Sequence, residues 1–139
     1  MLRAITTTII GVILGMMAMI AMHYLSMVFY PLPEAVTMED AEALNKYMAV
    51  APLGAILLVI FSRAIRSFIG ALVATLLSQV SKWKNSTAIK YQFLFIGLLF
   101  TYAGWYNLEN LIHPDLFKID LLFYLPAAYL GYSLVAKRA

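Results

Sequence analysis

The sequence predicts an all-α integral membrane protein, a bundle of four membrane-spanning helices in a single domain covering residues 1–139. The prediction rests on composition, on four long apolar stretches and on the distribution of basic residues between them. Of the 139 residues, 63% are hydrophobic and 12% are charged. A soluble domain of this length has too much surface for its volume to bury so many apolar side chains. A bilayer hides them, because roughly 20 apolar residues span its core as a helix.

Basic and acidic residues alternate between the apolar stretches. Basic residues flank the chain and crowd its middle: Arg3, Arg63, Arg66, Lys82, Lys84, Lys90, Lys137 and Arg138. The two other connections carry the acidic residues Glu34, Glu39, Asp40, Glu42, Asp115 and Asp120. Loops that stay in the cytoplasm carry the excess of lysine and arginine. The alternation therefore predicts a multi-pass protein of the inner (plasma) membrane with both termini cytoplasmic, and the lipid bilayer as its first partner.

Composition and motifs exclude or leave unsupported several classes of function. The chain has no cysteine, which excludes thiol–disulfide exchange and thiolate metal sites. The net charge of +3 belongs to the predicted cytoplasmic loops, so no nucleic acid is expected as a partner. The sequence has no nucleophile elbow and no phosphate-binding glycine loop. We therefore predict no catalytic residue, no metal site and no cofactor.

The first span is predicted at roughly residues 4–29. It is too long for the apolar region of a signal peptide and no cleavage site follows it, so we expect it to remain uncleaved. Gly11 and Gly15 form a pair of small residues that lets another helix approach closely, either in ordinary packing or in a dimer seam. Residues 30–33 include two prolines, which end the helix.

A short external helix is predicted next, at roughly residues 38–50. Thr37 can cap its N-terminus, Asp40 occupies the capping-box position, and the acidic residues complement the positive end of the helix dipole. Pro52 then either kinks this helix or marks the start of the second span.

The second span, at roughly residues 49–77, has two interpretations. In one, a single long helix carries Arg63 and Arg66 inside the bilayer. In the other, the span ends at Arg63 and an amphipathic surface helix covers residues 64–80. Small and polar residues recur on one face of the long helix: Ser62, Arg63, Arg66, Ser67, Gly70 and Ala74. That stripe favours the long helix, because a surface helix would carry more lysine opposite its apolar side.

The remaining spans are predicted at roughly residues 89–112 and 116–136, after a basic loop at 78–90. Asp115 is the predicted N-cap of the last span. A weak internal repeat suggests a tandem duplication of a two-helix hairpin. Its alignment pairs Pro31 with Pro114, Pro52 with Pro126, and Arg63 with Lys137. The last pair favours a second span that ends near Arg63, so the two interpretations of that span stay open.

Arg63 and Arg66 are the first candidate site residues, because ionisable groups inside a membrane are costly. They could line an anion or polar-headgroup site, or serve as an inner-surface anchor or a structural ion pair. Their expected partners are polar residues near the end of the third span: Asn107, Glu109 and Asn110.

A second polar cluster is expected at the outer interface. It joins His23 and Tyr24 of the first span to Tyr106, Asn107, Glu109, Asn110, His113, Asp115 and Asp120. Imidazole and carboxylate suit divalent metals, but no pair lies at i and i+4 on one helix, so a metal is not expected. A proton or polar-ligand site and a structural hydrogen-bond network remain open.

Two segments resemble a family of short bacterial inner-membrane proteins. The first comprises Pro31-Leu32-Pro33-Glu34 with Ala51-Pro52 and the small residues around Gly70. The second, more specific one comprises Ala103-Gly104-Trp105-Tyr106-Asn107, His113-Pro114-Asp115-Leu116-Phe117, Asp120 and Tyr124-Leu125-Pro126-Ala127-Ala128. The family has no assigned activity, so the resemblance implies a four-helix architecture only. Its members tend to carry histidine where this chain has Arg63, which implies a polar site within the span.

The sequence favours a non-catalytic small subunit or scaffold of a membrane complex, partnered by other membrane chains or by copies of itself. The alternative is a binder or transporter of a small polar, anionic or lipid ligand within the bundle. An enzyme using His113 with Asp120 or Glu109 is a third hypothesis. The first two are distinguished by whether Arg63 and Arg66 face a cavity or the cytoplasmic headgroups.

Overall fold

The computed structural model describes residues 2–37, 39–80, 86–108 and 114–137. Within these ranges the protein consists of five α-helices without any strand, which confirms the predicted all-α class. The helices are α1 (Leu2–Phe29), α2 (Ala41–Val50), α3 (Leu53–Val80), α4 (Ser86–Leu108) and α5 (Pro114–Ala136).

Among the described residues, three helices are long and apolar enough to cross a membrane: α1, α3 and the Lys118–Ala136 part of α5. The described part of α4 does not reach the same apolarity, since it includes Lys90, Gln92 and several tyrosines. The structure therefore supports a membrane protein with three such helices. The fourth span and the hairpin duplication stay predictions.

The central helix of the bundle is α3. It packs against α1 on one side and α5 on the other, while α4 packs mainly on α5. The α1–α3 contact is close because it uses glycine. A Cβ atom on Gly11 would lie 2.5 Å from the carbonyl oxygen of Gly70, and one on Gly15 would overlap the carbonyl oxygen of Arg66. The predicted small-residue pair of α1 thus packs inside the chain, against α3.

The polar stripe of α3 lies in the bundle interior. The helix runs unbroken for 28 residues from Leu53 to Val80, so no separate surface helix begins after Arg63. Buried positions of the stripe are Ser62, Arg66, Ser67, Gly70 and Ala74, and Arg63 is half-buried. The large side chains left exposed on α3 are apolar, including Leu57, Phe61 and Leu76. Polar groups inside and apolar groups outside are the arrangement that a lipid environment favours.

Two predicted helix starts are wrong. The N-cap of α2 is Asp40 and not Thr37, because Asp40 Oδ1 accepts hydrogen bonds from the backbone N–H groups of Glu42 and Ala43, at 3.1 and 3.0 Å. A carboxylate at this position satisfies two free donors of the first turn. In addition, α5 already includes Pro114, so Asp115 lies in its first turn and is not its N-cap. Proline is favoured there, since its missing N–H is not needed.

Pro52 separates α2 from α3. Its carbonyl oxygen accepts hydrogen bonds from the backbone N–H groups of Ala55 and Ile56, at 2.9 and 3.4 Å. The short helix α2 therefore ends before the long helix begins, and α3 starts at the end of the bundle where α1 finishes. We call this the α2 end of the bundle.

Candidate ligand-binding site

An ion pair joins α3 to α5 inside the bundle. Arg63 Nη1 donates to Asp120 Oδ2 at 3.1 Å. Asp120 is only 1% exposed, and the same oxygen accepts a hydrogen bond from the Tyr124 hydroxyl at 3.0 Å. Tyr124 lies one turn after Asp120 on α5, where an i, i+4 spacing brings side chains together. The carboxylate is thus held by a cation from one helix and a hydroxyl from its own.

Arg66 lies one turn further along α3 and is held differently. It is 9% exposed, and its guanidinium carbon lies 4.3 Å from the ring centroid of Phe100 and 5.3 Å from that of Tyr124. These are cation–π distances. Within the described part of the chain, Arg66 Nε has no hydrogen-bond partner.

His23 brings α1 to the same level of the bundle. Its Nδ1 atom lies 3.4 Å from Ser62 Oγ, and Ser62 Oγ donates to the carbonyl oxygen of Val59 at 2.7 Å. Because the hydroxyl proton is used on Val59, Ser62 Oγ can act only as an acceptor toward His23 Nδ1. His23, Ser62 and Arg63 therefore present polar atoms from two helices at one depth.

A pocket of about 240 Å³ opens at this level, between α1, α2 and α3. Its apolar wall includes Met27, Met48, Ala55 and Val59. Its polar residues are His23, Ser26, Tyr30, Asn45, Tyr47 and Arg63. The pocket therefore combines apolar walls with convergent polar groups, which is typical of small-molecule sites.

The opposite side of α3 carries a larger groove of about 720 Å³, shared with α5. Its lining residues are apolar, among them Leu57, Phe61, Ile119 and Phe123. None of the described residues that line this groove offers a polar side chain to orient a ligand, and their apolar surface suits the acyl chains of a lipid. The pocket and the groove thus lie on two different faces of α3, and Arg63 lines the pocket but not the groove.

The structure brings together four of the predicted site residues: His23, Arg63, Arg66 and Asp120. The described acidic partner of Arg63 is Asp120, whereas the sequence suggested Asn107, Glu109 or Asn110. Glu109, Asn110, His113 and the side chain of Asn107 lie outside the described residues. Among the described residues, no three His, Asp or Glu side chains gather as a metal site would require.

Sequence reasoning missed Tyr124 as a partner of Asp120, although its i+4 spacing was visible. It also missed a polar network at the opposite end of the bundle. There Gln92 donates to the Thr7 hydroxyl at 2.8 Å and to the Ala4 carbonyl oxygen at 3.1 Å, and accepts from Ser78 at 2.9 Å. This network ties α1, α3 and α4 together. Its only sequence signal is a glutamine within an apolar stretch.

The fold and the site define a class: a helical membrane protein with a buried arginine–aspartate pair beside a pocket. Comparison with known proteins finds no matching family model, no similar curated protein and no similar solved structure. Membership of the family of short bacterial inner-membrane proteins therefore stays a prediction, which depends only on the two similar segments of the sequence.

Proposed function

We propose that the protein is an integral inner-membrane protein that binds a small ligand in the pocket between α1, α2 and α3. The observation that carries the proposal is the position of Arg63. It lines the pocket and is also paired with Asp120 inside the bundle. A structural anchor would reach the headgroups instead of facing a cavity. An intramembrane charge that lines a cavity is typical of a ligand or ion site.

The ion pair makes Arg63 suitable for this role. A guanidinium group presents several N–H donors in a fixed fork, so one donor can bond Asp120 while others point elsewhere. Asp120 also limits the rotamers of Arg63, and this lowers the entropy that a ligand must overcome on binding. The apolar wall around Met27 and Val59 then excludes water and accommodates an apolar part of the ligand.

In this proposal the chain crosses the membrane four times, with both termini cytoplasmic and the α2 end outside. The α4 helix is the fourth span. Its 23 residues give a helix about 35 Å long, at roughly 1.5 Å per residue. That length is enough to cross the hydrocarbon core of a bilayer. The pocket then opens toward the outer surface, below α2. The resemblance to bacterial four-helix proteins agrees with this arrangement.

A matched pair of tryptophan substitutions tests the pocket. Val59→Trp fills it, whereas Leu57→Trp adds the same bulk to the lipid-facing side of α3. The probes are hexanoate, hexanamide and hexylamine, which share an alkyl chain and differ in head group. We expect at least one probe to raise the unfolding temperature of the wild type and of Leu57→Trp in detergent, but not that of Val59→Trp. If no probe stabilises the wild type, or if Val59→Trp responds equally, the proposed pocket function is wrong.

A second candidate function is that of a small subunit or scaffold, and α4 favours it. Tyr91, Phe95, Leu98, Tyr102 and Trp105 are all exposed and alternate at four- and three-residue spacings. This spacing forms a straight ridge of the kind that packs against a second helix. Among the long helices, α4 is also the one whose described part does not reach the apolarity of a membrane span. We propose a transmembrane helix of another chain as the occupant.

Cross-linking tests this candidate directly, because the chain has no cysteine of its own. Tyr102→Cys should form cross-linked products in native membranes, whereas Ile13→Cys on the exposed side of α1 should not. Products of twice the chain mass would identify a second copy as the partner. Equal behaviour of the two variants would remove the ridge as an interface.

A further inference from the structure

The charges buried in the described part of the bundle do not balance. Arg63 is matched by Asp120, whose Oδ2 accepts from both Arg63 and Tyr124. No described carboxylate lies within ion-pair distance of Arg66. The guanidinium of Arg66 is instead covered by the rings of Phe100 and Tyr124. Arg66 therefore has no ion-pair partner of its own among the described residues: its charge is compensated by the Phe100 ring, by Tyr124, which also hydrogen-bonds it, and by Asp120 at longer range.

Such a charge is costly in a membrane protein. A buried lysine can lose its proton, but arginine stays charged in proteins. Ring quadrupoles compensate only part of the hydration that the guanidinium loses. A nearby anion would compensate the remainder. The pocket beside Arg63 provides the space for that anion, one helical turn from Arg66.

We infer that the ligand of the pocket is a monoanion with a short apolar chain, such as an alkyl carboxylate, and that Arg66 selects its charge. This inference rests on the proposed pocket function and names its ligand class. Arg63 bonds the head group at the pocket wall, while Arg66 acts from about 4.5 Å further along the helix axis. Arg63 therefore contacts the ligand directly, whereas Arg66 is a positioning residue that favours a negatively charged head group without touching it.

The pocket limits the size of the ligand. Its volume is about 240 Å³, and a water molecule occupies about 30 Å³ of liquid, so the pocket holds about eight non-hydrogen atoms. Hexanoate has that size. A cationic head would be repelled by both arginines. A neutral head would add no negative charge near Arg66.

The head-group comparison tests this inference on the full-length protein in detergent. At neutral pH hexanoate is an anion, hexylamine a cation and hexanamide neutral. We expect the wild type to bind hexanoate at least roughly tenfold more tightly than hexanamide, and hexylamine not at all. In R66M the advantage of hexanoate over hexanamide should disappear. In R66Q, which keeps a polar side chain without the charge, it should disappear as well.

The outcomes separate the inference from the proposed function. If hexanamide binds the wild type as tightly as hexanoate, the pocket function holds and the charge selection is wrong. If R66M keeps the preference for hexanoate, Arg66 is not its source and the inference is overturned. If no probe binds in the pocket, the proposed function fails first. Should R66M fail to fold, the wild-type comparison together with R66Q decides, because an unchanged preference for hexanoate in R66Q would contradict selection by charge.

Discussion

Asp120 is the residue on which the largest single stability effect is expected. It is almost fully buried and shares one oxygen with Arg63 and Tyr124. Asp120→Leu removes the described carboxylate partner of the Arg63 guanidinium. Removing one member of a buried ion pair costs about 3–5 kcal/mol, because the other charge stays unpaired.

The prediction is that Asp120→Leu destabilises the protein strongly and that adding Arg63→Met recovers part of the loss. Unfolding of both variants in detergent measures it. Lys46→Met serves as the control, since its ion pair with Glu42 is exposed and should contribute about 0.5 kcal/mol or less. If Asp120→Leu matches this control, the buried pair is not a stabilising element and Arg63 has lost its anchor in the proposed site.

At the scale of helices, the close contact between α1 and α3 determines where the site residues meet. Gly15 lies directly against the backbone of Arg66, and His23 reaches Ser62 two turns beyond it on α1. Glycine at this contact allows the two backbones to approach, and the approach brings the imidazole to the level of Arg63. The packing of the small residues and the geometry of the site are therefore linked.

Gly15→Ala should separate α1 from α3 and cost about 1–3 kcal/mol, because its Cβ would meet a rigid carbonyl group. Gly97→Ala is the matched control. Its Cβ would come 2.8 Å from a terminal methyl group of Leu125, a flexible side chain that can move. The gain in helix propensity of about 0.5–1 kcal/mol offsets that adjustment. Thermal unfolding in detergent compares the two, and equal losses would show that backbone contact does not govern the α1–α3 packing.

At the scale of the whole molecule, the number of spans decides which side of the membrane the pocket faces. In the part of the chain that the structure describes, three helices are apolar enough to cross a membrane, whereas α4 is long enough but less apolar than a candidate span. With four spans the two ends of the chain lie on one side. With three spans they lie on opposite sides.

Single cysteines in this cysteine-free chain distinguish the two topologies. With four spans and cytoplasmic termini, Arg3→Cys and Lys137→Cys should react with a membrane-impermeant thiol reagent only after cells are opened. Glu42→Cys in α2 should react in intact cells. The unmodified chain gives the background. Opposite behaviour of Arg3→Cys and Lys137→Cys would indicate an odd number of spans and would contradict the proposed four-span topology.

The sequence alone predicted the all-α class and the approximate positions of the long helices. Apolar length, prolines at Pro31 and Pro52, and the small-polar stripe of α3 are local properties, and local properties decide where a helix begins, ends and hides its polar face. Both competing versions of the second span were readable from the sequence. The stripe from Ser62 to Ala74 favoured the continuous helix that the structure has.

Only the tertiary structure selected Asp120 as the described partner of Arg63. The two residues lie 57 positions apart, and the sequence offered other acidic and amide residues at a similar depth. Which of them faces α3 depends on the rotation and crossing of α5, and these follow from packing. Gly131, for example, lies against the backbone of Phe68 and Leu72 on α3. The pocket below α2 arises in the same way, because a cavity exists only between helices and no single segment of sequence encodes it.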